Sequence, residues 1–129
     1  QDVVGEVRGF LAERVAAAMA SGIESDRLVL DPGFGFGKTL GHNLTLLAQL
    51  EDTALDGLPI LAGMSRKSML GAITGRPVGE RLAASIAAAL IAAQHGARIL
   101  RVHDVAETRD ALSVWQAVQT EKDAFAQRP

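Results

Sequence analysis

The chain has 129 residues, of which 48% are hydrophobic, and it carries 13 Lys+Arg against 15 Asp+Glu, a formal charge of −2, with no cysteine. That length holds one domain at most with one buried core, the near-balanced charge without a basic stripe argues against nucleic acid as a partner, and the lack of cysteine excludes disulfides and thiolate metal sites. No uncharged apolar run reaches the ~18 residues of a membrane span, and QDVVGEVRGF lacks the basic-then-apolar layout of a signal peptide, so a soluble, cytoplasmic protein with no membrane partner is the expectation.

From Asp2 to Ala20, apolar residues at Val3, Val7, Phe10, Leu11 and Val15 keep the three-and-four spacing of an amphipathic helix, with Asp2 placed to cap its start and Ser21-Gly22 to end it. The run RLVLD then reads as a strand that ends on the carboxylate of Asp31. DPGFGFGKT, Asp31 to Thr39, follows. Its closing GKT invites the phosphate cradle G-x-x-x-x-G-K-[ST], but Pro32 stands where the first glycine belongs and has no N–H to donate. A dinucleotide fingerprint would need glycine where Lys38 stands. What survives is a flexible loop in which Phe34 and Phe36 alternate with Gly33, Gly35 and Gly37; its rings either serve a ligand or tuck beneath a helix.

HNLTLLAQLED continues as a helix capped by Asn43, and after Gly57 the run LPILAG is a second strand with Pro59 confined to its start. MSRKSML leads into the loop TGRPVG, and a helix then runs from Glu80 to His95 and stops at Gly96. ARILRVHD is a third strand. A last helix runs from Val105 to Gln119 with Ala111, Leu112, Trp115 and Val118 on its apolar face, and the tail after Glu121 is expected to fray.

Strands repeating every roughly thirty to forty residues with helices between them are the βαβ pattern, so three parallel strands covered by helices are expected, an α/β fold. Their apolar runs do not alternate, as suits strands buried on both faces. AASIAAALIAA is apolar nearly all round, which predicts burial against the sheet on one side and another element or a second subunit on the other.

Parallel sheets and barrels gather chemistry at the carboxyl ends of their strands. After the first strand stands Asp31 with the Phe-Gly loop; after the second, Gly63, Met64, Ser65, Arg66, Lys67 and Ser68; at the end of the third, Arg101 and His103, two apart and so on one side of the strand, with Asp104 following. A carboxylate there can accept paired hydrogen bonds from an amino-heterocycle, Lys67 and Arg101 can hold an acceptor edge or an anion, and Arg101 with His103 suits phosphate or diphosphate. No Ser-His-acid triad or helical zinc motif shows an interpretable spacing, and His42 and His95, at a helix start and a helix end, read as capping or dipole residues.

DPGFGFGKT with its following HNL, then PILAGMSRKS, then RVHDV, in that order and over essentially the whole chain, closely resemble the dihydropteroate synthase family. The resemblance implies a (β/α)8 TIM barrel, of which this chain matches the C-terminal half. It implies an enzyme of folate biosynthesis that condenses 6-hydroxymethyl-7,8-dihydropterin diphosphate with p-aminobenzoate to 7,8-dihydropteroate, and that sulfonamides inhibit by competing with p-aminobenzoate. It further implies a magnesium ion whose protein ligand lies in the missing N-terminal half, and a homodimer through the late helices. By motif, Asp31 would bind the pterin amino edge and Lys67 its acceptor edge. Arg101 would stack on the pterin and, with His103, hold the departing diphosphate; the catalytic set is Lys67, Arg101 and His103. Phe36 and Ser65 would line the p-aminobenzoate site, with Phe34 and Gly63 beside the pterin. Residues 1–129 would be part of a single barrel domain, inactive alone. A related methyl-transferring pterin barrel, a non-catalytic binding or assembly piece, and a half-barrel completed by self-association are the competing readings.

Overall fold

The computed structural model describes residues 2–129, and the fold is α/β. Helix α1, Val3–Ala20, is capped as the sequence predicts: Asp2 Oδ1 accepts the Gly5 N–H at 2.9 Å, a contact whose loss costs about 1 kcal/mol. Val3, Val4 and Leu11 are buried and Val7 and Val15 pack on the core, whereas Phe10 is 62% exposed, so the buried stripe is narrower than the periodicity suggests.

The expected first strand is a correction. Only Leu30 pairs, as a single parallel bridge to Ile60, with Leu30 N–H donating to Pro59 O at 2.9 Å and Leu61 N–H to Leu30 O at 2.7 Å. A 3₁₀ turn at Ser25–Arg27 consumes the start of RLVLD, and nothing among the described residues pairs with its other edge, so the ladder is one residue long. The regular sheet has two parallel strands rather than three: β1, Ile60–Ala62, and β2, Ala97–Leu100, with Ile60 opposite Ala97, Leu61 opposite Ile99, and an irregularity between them. Pro59 sits just before β1, where its missing N–H costs no ladder bond and its carbonyl serves Leu30.

Helix α2, Leu40–Ala48, is capped by Thr39, not Asn43: Thr39 Oγ1 accepts the His42 N–H at 3.1 Å and the His42 ring accepts the Thr39 N–H at 3.4 Å. Helix α3, Ser68–Thr74, was not foreseen; it closes on Gly75 in the left-handed region, φ 73°, before the TGRPVG loop continues. Helix α4 runs Leu82–Gln94 and α5 runs Val105–Ala126. The tail beyond Glu121 therefore stays helical where fraying was expected. On α5, Ala111, Leu112 and Trp115 are half-buried as predicted, but Val118 is 62% exposed.

The core is one cluster around Leu30, Phe34, Leu46, Leu50, Ile60, Ala62, Met64 and Ala92, between the sheet and helices α1, α2 and α4. Helix α4 buries Ser85, Ala88, Ala89 and Ala92 on one side only; Leu82 and Ile91 face out, so its second apolar face is uncovered in this chain. Val29 and Ile99, at the two outer edges of the sheet, are likewise exposed. Among the described residues no helix is long and apolar enough to cross a membrane.

Candidate functional site

Parallel pairing sends the carboxyl ends of the Leu30 bridge, β1 and β2 to the same rim, and the next residues are Asp31, Gly63 and Arg101. The ladder runs one bond further, Arg101 N–H to Ala62 O at 3.0 Å, which pins Arg101 beside Gly63. The guanidinium then folds across Gly63 so closely that a Cβ there would lie 2.5 Å from Nη2. Only glycine leaves that path open. Along it, Arg101 Nη1 donates to Asp31 Oδ2 at 3.3 Å, while Asp31 Oδ1 accepts the Gly33 N–H at 2.9 Å and turns the chain into the loop.

The glycine loop is well tied down. Gly33, Gly35 and Gly37 take φ of 76°, 85° and 63°, values that side-chain-bearing residues rarely adopt. Lys38 Nζ donates to Gly33 O at 2.7 Å and Phe36 O at 3.2 Å, and the buried Asn43 accepts the Gly35 N–H at 2.9 Å while donating to Thr39 O at 3.1 Å. Burial lowers the Lys38 pKa against the opposing pull of Asp31. The open question about the two rings resolves one way for each. Phe34 is 1% exposed inside the core, so what it presents to the rim is its carbonyl; Phe36 is 71% exposed.

Lys67 joins these parts. Its Nζ donates to Phe34 O at 2.6 Å and lies 4.8 Å from the centre of the Phe36 ring, a cation–π distance. Its pKa is lowered, first by burial and then by the charges of Arg101 and Lys38, with Asp31 working in the opposite direction. Ser65 Oγ lies 2.8 Å from His103 Nδ1 and accepts the His103 N–H at 3.3 Å. Among the described residues no carboxylate is hydrogen-bonded to the His103 ring, so this is a pair and not a triad.

Gly63, Ser65, Lys67, Arg101, Val102 and His103 line one cavity of about 130 Å³. A wider one of about 570 Å³ lies between α1 and the glycine loop, lined in part by Asp31, Phe36 and Lys38, and the Asp31–Arg101 pair stands between the two. The regular strand ends at Leu100, so Arg101 and His103 reach their cavity from the loop after β2 and not by strand alternation. All eight candidate residues thus lie at one rim, with Phe34 contributing backbone. Lys38 and Asn43 were missed as site-builders; the available signal was a lysine directly after the last glycine and an asparagine in the first turn of the next helix. His42 caps α2 and also lines the wider cavity, whereas His95 ends α4, 3.8 Å from Glu51, and lines neither cavity.

The profile of the pterin binding enzyme family matches residues 1–103. The dihydropteroate synthase of Haemophilus influenzae is 51% identical over 117 residues, which cover 91% of this chain and 42% of that protein. Burkholderia cenocepacia dihydropteroate synthase complexed with 7,8-dihydropteroate superposes with a TM-score of 0.91 at 56% identity, over 99% of this chain and 47% of that one. Xanthomonas albilineans dihydropteroate synthase with 4-aminobenzoic acid gives 0.89 at 56% identity, over 92% and 46%. The chain therefore spans less than half the length of the relatives it matches.

Proposed function

The chain belongs to the pterin binding enzyme family, and we propose that it is the carboxyl-terminal part of a cytoplasmic dihydropteroate synthase, its 129 residues forming part of a single (β/α)8 barrel domain. The two unpaired sheet edges and the exposed Val29 and Ile99 support a sheet continued by further strands. The reaction joins the p-aminobenzoate nitrogen to the exocyclic carbon of 6-hydroxymethyl-7,8-dihydropterin diphosphate. The carbon–oxygen bond breaks first, its electron pair leaves with diphosphate, the amine attacks the pterin cation, and the amine proton is released.

In this reading Asp31 accepts from the pterin amino edge, Lys67 donates to its acceptor edge, and Arg101 lies against the ring. Arg101 and His103 hold the leaving diphosphate, so the site's task is electrostatic: a carboxylate and three donors set to stabilise an anion and a cation that separate together. Gly63 leaves the room in which the Arg101 guanidinium lies flat beside the pterin, with Phe34 supporting that side from the core. Ser65 and the exposed Phe36 line the p-aminobenzoate side, where sulfonamides would compete. The observation that carries the reading is the convergence of Asp31, Lys67, Arg101 and His103 on one rim from three separate chain segments.

Among the described residues no three His, Asp or Glu side chains gather to hold a metal, and Asp31 is engaged by Gly33 and Arg101. These residues alone do not fit a magnesium site, and we place the ion's protein ligand outside them. A second copy covering the outer faces of α2, α3 and α4, where Leu44, Ile73, Leu82 and Ile91 are exposed, would give the homodimer.

The test is calorimetry of pterin diphosphate binding to the protein as its gene encodes it, followed by an assay of diphosphate release with p-aminobenzoate. Binding with release supports the transferase; binding without release favours the methyl-transferring barrel or a non-catalytic binding piece; no binding sinks the transferase and leaves a stable oligomer as the mark of an assembly piece.

A further inference from the structure

Arg66 stands between Ser65 and Lys67 with φ 61°, a conformation that a residue with a side chain adopts only when its surroundings enforce it. Here the enforcement comes from a distance. Arg66 N–H donates to the hydroxyl of Ser85, a 5% exposed residue of α4, at 2.9 Å. Arg66 O accepts from Arg81 Nη1 at 2.9 Å, and Arg81 Nε is fixed in turn by Arg76 O at 3.0 Å. The Arg81 guanidinium lies so close against Gly71 of α3 that a Cβ there would collide with it. The Arg66 side chain donates to both oxygens of Asp104, at 3.1 and 3.3 Å. Asp104 stands at the start of α5 with its carboxylate turned away from capping that helix, and it directly follows His103.

Arg66 is therefore held at three points: its amide and carbonyl by α4 and the residue before it, its Nη2 by the segment that carries His103. The neighbours of Arg66 are the two residues whose side chains must point into the rim cavity. A turn relaxed to negative φ would rotate the peptide planes on both sides and swing Ser65 Oγ away from His103 and Lys67 Nζ away from Phe34 O.

We propose that Ser85 and Arg81, together with Asp104, form a brace that holds Arg66 in the left-handed conformation and so positions Ser65 and Lys67 for the substrates. This rests on the dihydropteroate synthase reading. Ser85 and Arg81 are positioning residues: they act through the backbone of Arg66 and touch no substrate.

Glycine adopts φ 61° without strain, so Arg66→Gly should make the brace dispensable. The experiment is steady-state kinetics on the protein as its gene encodes it, with S85A, R66G and the double variant, each melted to show that it folds. Expected are a KM for p-aminobenzoate raised about tenfold by S85A with kcat less affected, and at most about a twofold further rise when S85A is added to R66G. An S85A protein that folds with unchanged KM overturns the brace, as does an equal loss in both backgrounds. If S85A melts below the assay temperature, Arg81→Lys replaces it, since a single ammonium cannot reach both carbonyls, and is judged by the same suppression. An unsubstituted protein without turnover overturns the dihydropteroate synthase reading and the brace with it, whereas turnover indifferent to S85A overturns the brace alone.

Discussion

The Arg101 guanidinium donates to the Asp31 carboxylate at 3.3 Å although 70 positions separate the two in the chain. In the proposed reading Asp31 takes the amino edge of a pterin and Arg101 its ring face, so the contact between them is one that a pterin would have to open. Both side chains are substantially exposed, which keeps the pair weak enough to open.

Arg101→Ala should weaken pterin diphosphate binding by ~1 to 3 kcal/mol, the range for a lost charge-assisted hydrogen bond, and Arg101→Lys should recover part of the anion contact without the planar stacking. Calorimetry on the three proteins decides it; equal affinities would remove Arg101 from the site.

Gly63→Ala adds one methyl, yet that methyl would lie 2.5 Å from Arg101 Nη2 and force the guanidinium off its path to Asp31. The expected loss in affinity is comparable to that of Arg101→Ala, ~1 to 3 kcal/mol, with secondary structure intact by circular dichroism. Unchanged affinity would show that the guanidinium reaches its ligand by another route.

Lys67 titrates below its ordinary 10.5 because burial and the neighbouring Arg101 and Lys38 penalise its charge. As pH rises through the lowered value the proton is lost first in the folded protein, so binding that depends on the ammonium should weaken on the alkaline side before pH 10.5 is reached. In the same window the unfolded chain holds the extra proton, so Lys67 makes folding stability rise with pH there. Affinity measured against pH for native and Lys67→Arg proteins tests this; the alkaline limb should vanish in the arginine variant, and a limb that persists assigns it to another group.

Leu46 is fully buried where α2 meets the core, and Leu46→Ala should cost ~2 to 5 kcal/mol of unfolding free energy, read from urea denaturation as a lower midpoint. A smaller shift would mean that the core closes around the gap.

Much of this architecture was legible because local chemistry sets it. Asp2 caps α1, Gly96 ends α4, and the carboxyl-end rule alone brings Asp31, Lys67, Arg101 and His103 to one rim. The failures lie where tertiary partners decide. RLVLD has strand composition, but a strand is as long as its neighbour allows, and Leu30 finds only one partner residue. Asn43 looked like a cap because asparagine favours caps; the loop needed it more, at Gly35 N–H, and Thr39 took the cap. The hold on Arg66 was invisible for a related reason: Ser85 is nineteen positions away inside an alanine-rich helix, and nothing in that run marks one hydroxyl as different from a surface one.

The glycine loop assigns its two rings to different masters. Phe34 is answerable to folding, since any smaller residue would leave a hole among Leu30, Leu46 and Ile60. Phe36 lies outside that core: its ring meets the Lys67 ammonium at 4.8 Å and otherwise faces solvent. A change at position 36 leaves that core intact, whereas one at position 34 opens it; two residues apart, the same short stretch separates a ring that folding needs from one that it does not.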